Sequence, residues 1–88
     1  MPRQYIRAPK IMFSEIGADI VALDVSAGQC FGMEDVTAEV WRLLAHPQSV
    51  ETLCEALQEQ YDVGEEECRR DIRELLDRLI AEGLVQAG

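Results

Sequence analysis

The stretch from Asp24 to Leu44, DVSAGQCFGMEDVTAEVWRLL, decides how the whole chain is read. Its SAG segment supplies a tight turn in which Gly28 is free to take a positive φ. The run Gln29 to Met33, QCFGM, then returns as a strand with Phe31 and Met33 on one face. At Asp35, a good N-cap residue, the apolar period lengthens. Val36, Val40, Leu43 and Leu44 recur at helical spacing, with Trp41 beside them. The stretch therefore predicts strand, turn, strand and helix in immediate succession, with one basic residue, Arg42, and no catalytic set.

Working outward, the residues before the turn are strand-like. Ile11 to Phe13 form a short apolar run that Gly17 and Asp19 interrupt, and Ile20 to Val25 resume with Val21, Leu23 and Val25 at period two. Beyond the turn, Pro47 disfavours helical geometry at His46 and so ends the first helix there. Ser49 is placed to cap a second helix whose stripe is Val50, Leu53, Cys54 and Leu57, with Tyr61 one turn further, and Asp62 to Gly64 break it. The third helix opens on Glu65, Glu66 and Glu67, which suit the positive end of a helix dipole, and closes at Gly83. Cys68, Ile72, Leu75, Leu76 and Leu79 make its buried stripe, Ile80 lies at the margin, and Leu84 to Gln86 read as a short packed tail. Three strands followed by three helices, a small sheet covered on one side, predict an α+β fold of winged helix-turn-helix type.

At 88 residues the chain is one domain, 1–88, with an ordinary apolar share of 48% and no repeat or linker. A domain of this size buries roughly 60–65% of its unfolded surface. No segment approaches the roughly 20 apolar residues that span a bilayer, and the N-terminal MPRQYIRAPK has no secretion-signal core, which reads as cytoplasmic.

The net charge of −9 opposes nucleic acid as the main partner, because phosphate binding needs cations that release counterions. The hairpin that would serve as a DNA wing has no basic residue between Lys10 and Arg42. In the third helix Arg69, Arg70 and Arg78 stand four residues after Glu65, Glu66 and Glu74, the spacing of solvated ion pairs. Catalysis is excluded on similar grounds. The three cysteines, Cys30, Cys54 and Cys68, and the single histidine, His46, show neither a nucleophile-base arrangement nor metal-ligand spacing. The thiols read as buried and reduced, with Cys30 able to face outward, and no cofactor is expected.

What remains is a binding surface. A small sheet has unpaired edges, and an edge accepts an added strand through main-chain hydrogen bonds. If QCFGM is an edge beside the third helix, a groove lies between them. The expected peptide-binding residues are Gln29, Cys30, Phe31, Gly32 and Met33 of the strand, Ile72 and Leu76 on the floor, and Arg69 and Arg73 at the rim.

The same residues resemble the PqqD-like family. Its pattern is a strand ending in Leu-Asp, a Gly turn, an aromatic strand ending in a Leu-Asn-like pair, Ala-x-x-Trp, then Tyr-Asp, Asp-hydrophobic and a terminal Gly-Leu. The counterparts are Leu23-Asp24, Gly28, Phe31, Met33-Glu34, Ala38 and Trp41, Tyr61-Asp62, Asp71-Ile72 and Gly83-Leu84. Two positions depart from it: Met33-Glu34 replaces Leu-Asn, and Cys30 stands where an aromatic is common. The resemblance, over about Ile20 to Val85, implies a stand-alone recognition element for ribosomally made, post-translationally modified peptides. Such a module holds a precursor's leader as an added strand against the third strand and third helix. The LDVSAGQCFGM hairpin is most similar to the leader binders of lasso-peptide biosynthesis, which implies a non-catalytic protein that delivers its precursor to a separate cysteine-protease-like leader peptidase. A peptide chaperone of pyrroloquinoline quinone biosynthesis is the alternative within that class, and an acidic winged-helix transcriptional or assembly adaptor the alternative outside it. The expected partners are a leader peptide and a peptidase, without nucleic acid or membrane, the chain itself being a monomer or a strand-exchanged dimer.

Overall fold

The structure, a computed structural model, describes residues 3–88. The elements run β1 (Tyr5–Arg7), β2 (Met12–Ile16), β3 (Asp19–Asp24), β4 (Gln29–Met33), α1 (Asp35–Leu43), α2 (Val50–Gln60), α3 (Glu65–Ala81) and β5 (Val85–Ala87). Strands β2, β3 and β4 form one antiparallel sheet in that order, and β1 pairs with β5 in a second, two-stranded one. The α+β class and the three-strand, three-helix succession hold, with two further strands that sequence reading did not anticipate.

The three-stranded sheet has two unlike faces. Phe13, Ala22 and Phe31 lie in register, as do Ile20 and Met33, and this face turns toward the helices, where Ile20, Ala22 and Met33 are buried. The opposite face carries Met12, Leu23 and Cys30 in register, and all three are exposed. The first expected strand, Ile11 to Phe13, is corrected to Met12–Ile16. Its added residues are wholly exposed, and main-chain pairing with Asp19–Leu23 holds them without an apolar signal.

The β3-β4 turn is built by Asp24. Its Oδ1 accepts from Ser26 Oγ at 2.9 Å and from the Ala27 N–H at 3.2 Å, and Gly28 closes the turn at φ 65. This is an Asx-type turn, a reason in physics for a strand that ends in Leu-Asp. The Ser26 hydroxyl and the Ala27 amide hold the Asp24 carboxyl below the usual aspartate range, with a weaker contribution from Lys10. A depressed carboxyl contributes stability that is complete above its unfolded pKa and is lost as the pH falls through the folded one. In acid titration of stability, Asp24→Asn is therefore expected to flatten the loss below the ordinary aspartate range; an unchanged acid limb would contradict this.

Helix α1 follows β4 with no intervening loop. The expected N-cap, Asp35, is instead the first helical residue; Glu34 is the N-cap, in extended conformation and without a side-chain cap. Reversing from strand to helix over so short a distance puts Asp35 at φ 49, a region Asp tolerates better than most residues at a cost of about 1–2 kcal/mol. Helix α1 buries Ala38, Val40 and Trp41. Val36, placed by its spacing on the apolar stripe, is 37% exposed.

Helix α2 starts at a complete capping box, in which Ser49 Oγ accepts from the Thr52 N–H at 3.2 Å and Thr52 Oγ1 accepts from the Ser49 N–H at 2.9 Å. Ser49→Ala is expected to cost about 1 kcal/mol, a fall of about 4–8 °C in Tm measurable by circular dichroism. Helix α3 buries Cys68, Ile72, Leu76 and Leu79. Its end is a Schellman turn, with Gly83 at φ 78, the Gly83 N–H on Ile80 O and the Leu84 N–H on Leu79 O.

The tail and the N-terminal strand lock the two ends of the chain together. Tyr5, Ile6 and Arg7 pair with Ala87, Gln86 and Val85, and Tyr5 also exchanges main-chain bonds with Gln48. Arg7 then reaches the C-terminal end of α1, donating from Nε to Trp41 O at 2.8 Å. Its guanidinium lies 4.5 Å from the Phe13 ring centre and 5.0 Å from that of Trp41, while the two rings meet edge to face at 5.6 Å. A cation at the negative helix end and over two aromatic faces is favourable on both counts.

Candidate functional site

Among the described residues strand β4 pairs only with β3, so its other edge presents unpaired backbone donors and acceptors. Beside that edge lies an open cleft of about 460 Å³, lined by Cys30, Phe31, Gly32 and Met33 on one side and by Thr37, Arg78, Leu79, Glu82 and Leu84 on the other. A smaller apolar pocket of about 120 Å³ opens between the three helices, with Val36, Leu57, Tyr61, Val63 and Ile72 as its walls and Asp71 the one charged residue lining it. Val36 and Thr37, adjacent in α1, each border one of the two depressions.

Of the residues expected to bind peptide, Cys30, Phe31, Gly32 and Met33 line the larger cleft, and Gln29 begins the same strand. Phe31 is half-buried and packed on the core. Ile72 lines the smaller pocket and is 2% exposed, whereas Leu76, at 1%, is core and lines neither. Arg69 and Arg73 line neither depression. Arg69 bonds Glu51 of α2 at 3.5 Å and Glu65 at 3.2 Å, and Glu51 has its pKa lowered mainly by a backbone hydrogen bond, with both arginines adding to the shift. They occupy the flank of α3 that faces α2.

The opposite flank was not anticipated. At about 100° per residue, Asp71, Leu75, Arg78 and Glu82 share one side of α3 while Arg69 and Arg73 share the other. Of the expected ion pairs on α3, Glu65/Arg69 forms, Arg70 pairs instead with Asp71 at 3.6 Å, and Arg78 has no ion-pair partner among the described residues. Arg78 is thus a cation beside the open strand edge.

Thiol chemistry divides with burial. Cys30 is exposed and faces outward from its strand, while Cys54 and Cys68 are buried in the α2-α3 interface. Burial, together with a hydrogen bond to Cys68, pushes the Cys54 thiol up to about 12, far from a reactive thiolate. No helix among the described residues is long and apolar enough to cross a membrane.

An open sheet edge with a cleft along it is an arrangement able to accept an added strand. The model of the family described as coenzyme PQQ synthesis protein D (PqqD) matches residues 19–85, and the chain belongs to that family. Among solved structures, the chain resembles one described as TbiB1 in complex with the TbiA(beta) leader peptide. The TM-score is 0.87 and the identity 25%, over 92% of this chain and 94% of that one. No curated protein matches it.

Proposed function

We propose that this protein is a non-catalytic recognition element that binds the leader of a ribosomally made precursor peptide and delivers it to a maturation enzyme. The observation that carries this reading is the unpaired edge of β4 beside the cleft against α3. Its support from outside the chain is family membership and the likeness to TbiB1, a protein described in complex with a leader peptide. The leader adds antiparallel to Gln29–Met33 as a fourth strand. Alternate side chains drop toward Phe31, Met33 and Leu79, and an apolar side chain occupies the pocket floored by Ile72. Arg78 and Glu82 edge the cleft. Holding the precursor raises its local concentration at the enzyme that cuts it.

Within this class, the similarity of the LDVSAGQCFGM hairpin to the leader binders of lasso-peptide biosynthesis favours a lasso-peptide pathway with a separate cysteine-protease-like leader peptidase. The family description favours the second reading, a peptide chaperone of pyrroloquinoline quinone biosynthesis. Titrating the isotope-labelled protein with leader peptide tests the shared part. Amide shifts are expected along Gln29–Met33 and Arg78–Leu84, and their absence at high micromolar peptide rejects the site. Comparing a lasso precursor leader with the quinone precursor separates the two pathways, since only the cognate peptide should move these amides at low micromolar concentration.

A further inference from the structure

The helix-covered face of the sheet supports the core; the other face is open. Met12 and Ile16 are each 63% exposed, Leu23 is 39% exposed, and Val25 at the hairpin tip is 64% exposed. With Val21 and Cys30, three of these four, Met12, Ile16 and Leu23, line a shallow depression of about 360 Å³. The chain has 17 acidic and 8 basic residues, yet Asp19, in register with Ile16 at the sheet corner, is the one charged residue among the outward positions of β2, β3 and β4. An apolar face with a single charge at its corner, on so acidic a protein, is an interaction surface rather than a solvated one.

We propose that this outer sheet face is the docking surface for the enzyme that processes the leader, and that a leader bound at β4 completes it. The inference rests on the leader-binding reading above. Continuity with the β4 edge selects this occupant, because Cys30 lines both the outer depression and the peptide cleft. Side chains of an added strand alternate between faces, so every second leader residue comes to lie on the outer face beside Cys30 and Gly32. Gly32 leaves that position vacant: a Cβ placed there meets nothing within 4 Å. Two copies of this chain would each carry −9, so a second copy meets charge repulsion around this face. A fourth strand supplied by the leader widens the same surface, so the enzyme meets a larger apolar face on the loaded protein than on the empty one.

The coupling is reciprocal: whatever factor the leader adds to enzyme affinity, the enzyme adds to leader affinity. The test uses the full chain, its leader peptide and the pathway's leader peptidase, with the peptidase nucleophile replaced so that the leader stays intact. Met12→Lys and Ile16→Lys, alone and together, alter exposed side chains of β2, the strand furthest from the β4 edge. The double variant is expected to bind leader within about twofold of the parent protein and to lose about tenfold or more in peptidase affinity. Leader at saturation is expected to raise peptidase affinity of the parent protein at least about fivefold. Unchanged peptidase binding by the double variant, or equal affinity with and without leader, overturns the inference while the leader-binding reading stands. Failure of the parent protein to bind leader overturns both. Sedimentation of the protein alone supplies a third arm: a monomer is expected, and a micromolar dimer abolished by the same lysines assigns the face to a second copy instead.

Discussion

A leader peptide carrying backbone N-methyl groups at two alternate residues, on the side that faces β4, is expected to bind this protein roughly 30–160-fold more weakly than the unmodified leader. Strand addition takes its affinity from main-chain hydrogen bonds. Each methyl removes one donor, and a net loss of about 1 to 1.5 kcal/mol per bond, applied twice, gives this range. The same groups placed at the intervening residues, whose N–H bonds point away from β4, should change affinity by less than about threefold. Calorimetry with the two peptides distinguishes a strand from any other bound form: a helix or an irregular segment in the cleft shows no such alternation. Because the modification sits on the peptide, folding of the protein does not enter the result.

The largest effect on folding is expected at Trp41. It is fully buried, meets Phe13 edge to face and carries the Arg7 guanidinium over its ring. Truncating a buried Trp to Ala typically costs 3–5 kcal/mol, the sum of lost transfer free energy and the cavity left behind. A domain of this length has roughly 4–13 kcal/mol in total. Trp41→Ala is therefore expected to lower Tm by about 15 °C or more, or to leave the chain unfolded at 37 °C. Trp41→Phe keeps most of the volume and removes the buried Nε1–H, which has no hydrogen-bond partner among the described residues. It should recover at least half of the lost stability. Thermal melts followed by circular dichroism decide both, and a fall of only a few degrees for Trp41→Ala would show that the ring is not central to the core.

Helix boundaries were legible in the sequence because their signals are local. Ser49 and Gly83 act within a turn of where they stand, and the structure realises both, whereas α1 departs from expectation at both ends, with Glu34 as its N-cap and its last residue at Leu43, ahead of the stop expected at His46. The β4 strand and its turn were legible for the same reason, since Asp24 makes its own turn from its own neighbours. Strands β1 and β5 were not. Each is three residues long, and each is held by pairing with the opposite end of the chain, a contact that leaves no local period.

The candidate site divides along the same line. By itself the sequence determined that Gln29 to Met33 form a strand without cations, that α3 has one buried stripe, and that arginines stand on both sides of that stripe. Which of those sides meets the strand edge was decided by the tertiary structure alone. Helical periodicity gives the angle between Arg73 and Arg78 but has no reference direction outside the helix. That direction is set when α2 packs on the flank of Arg69, where Glu51 pairs with it, and leaves Arg78 and Glu82 to the cleft beside β4.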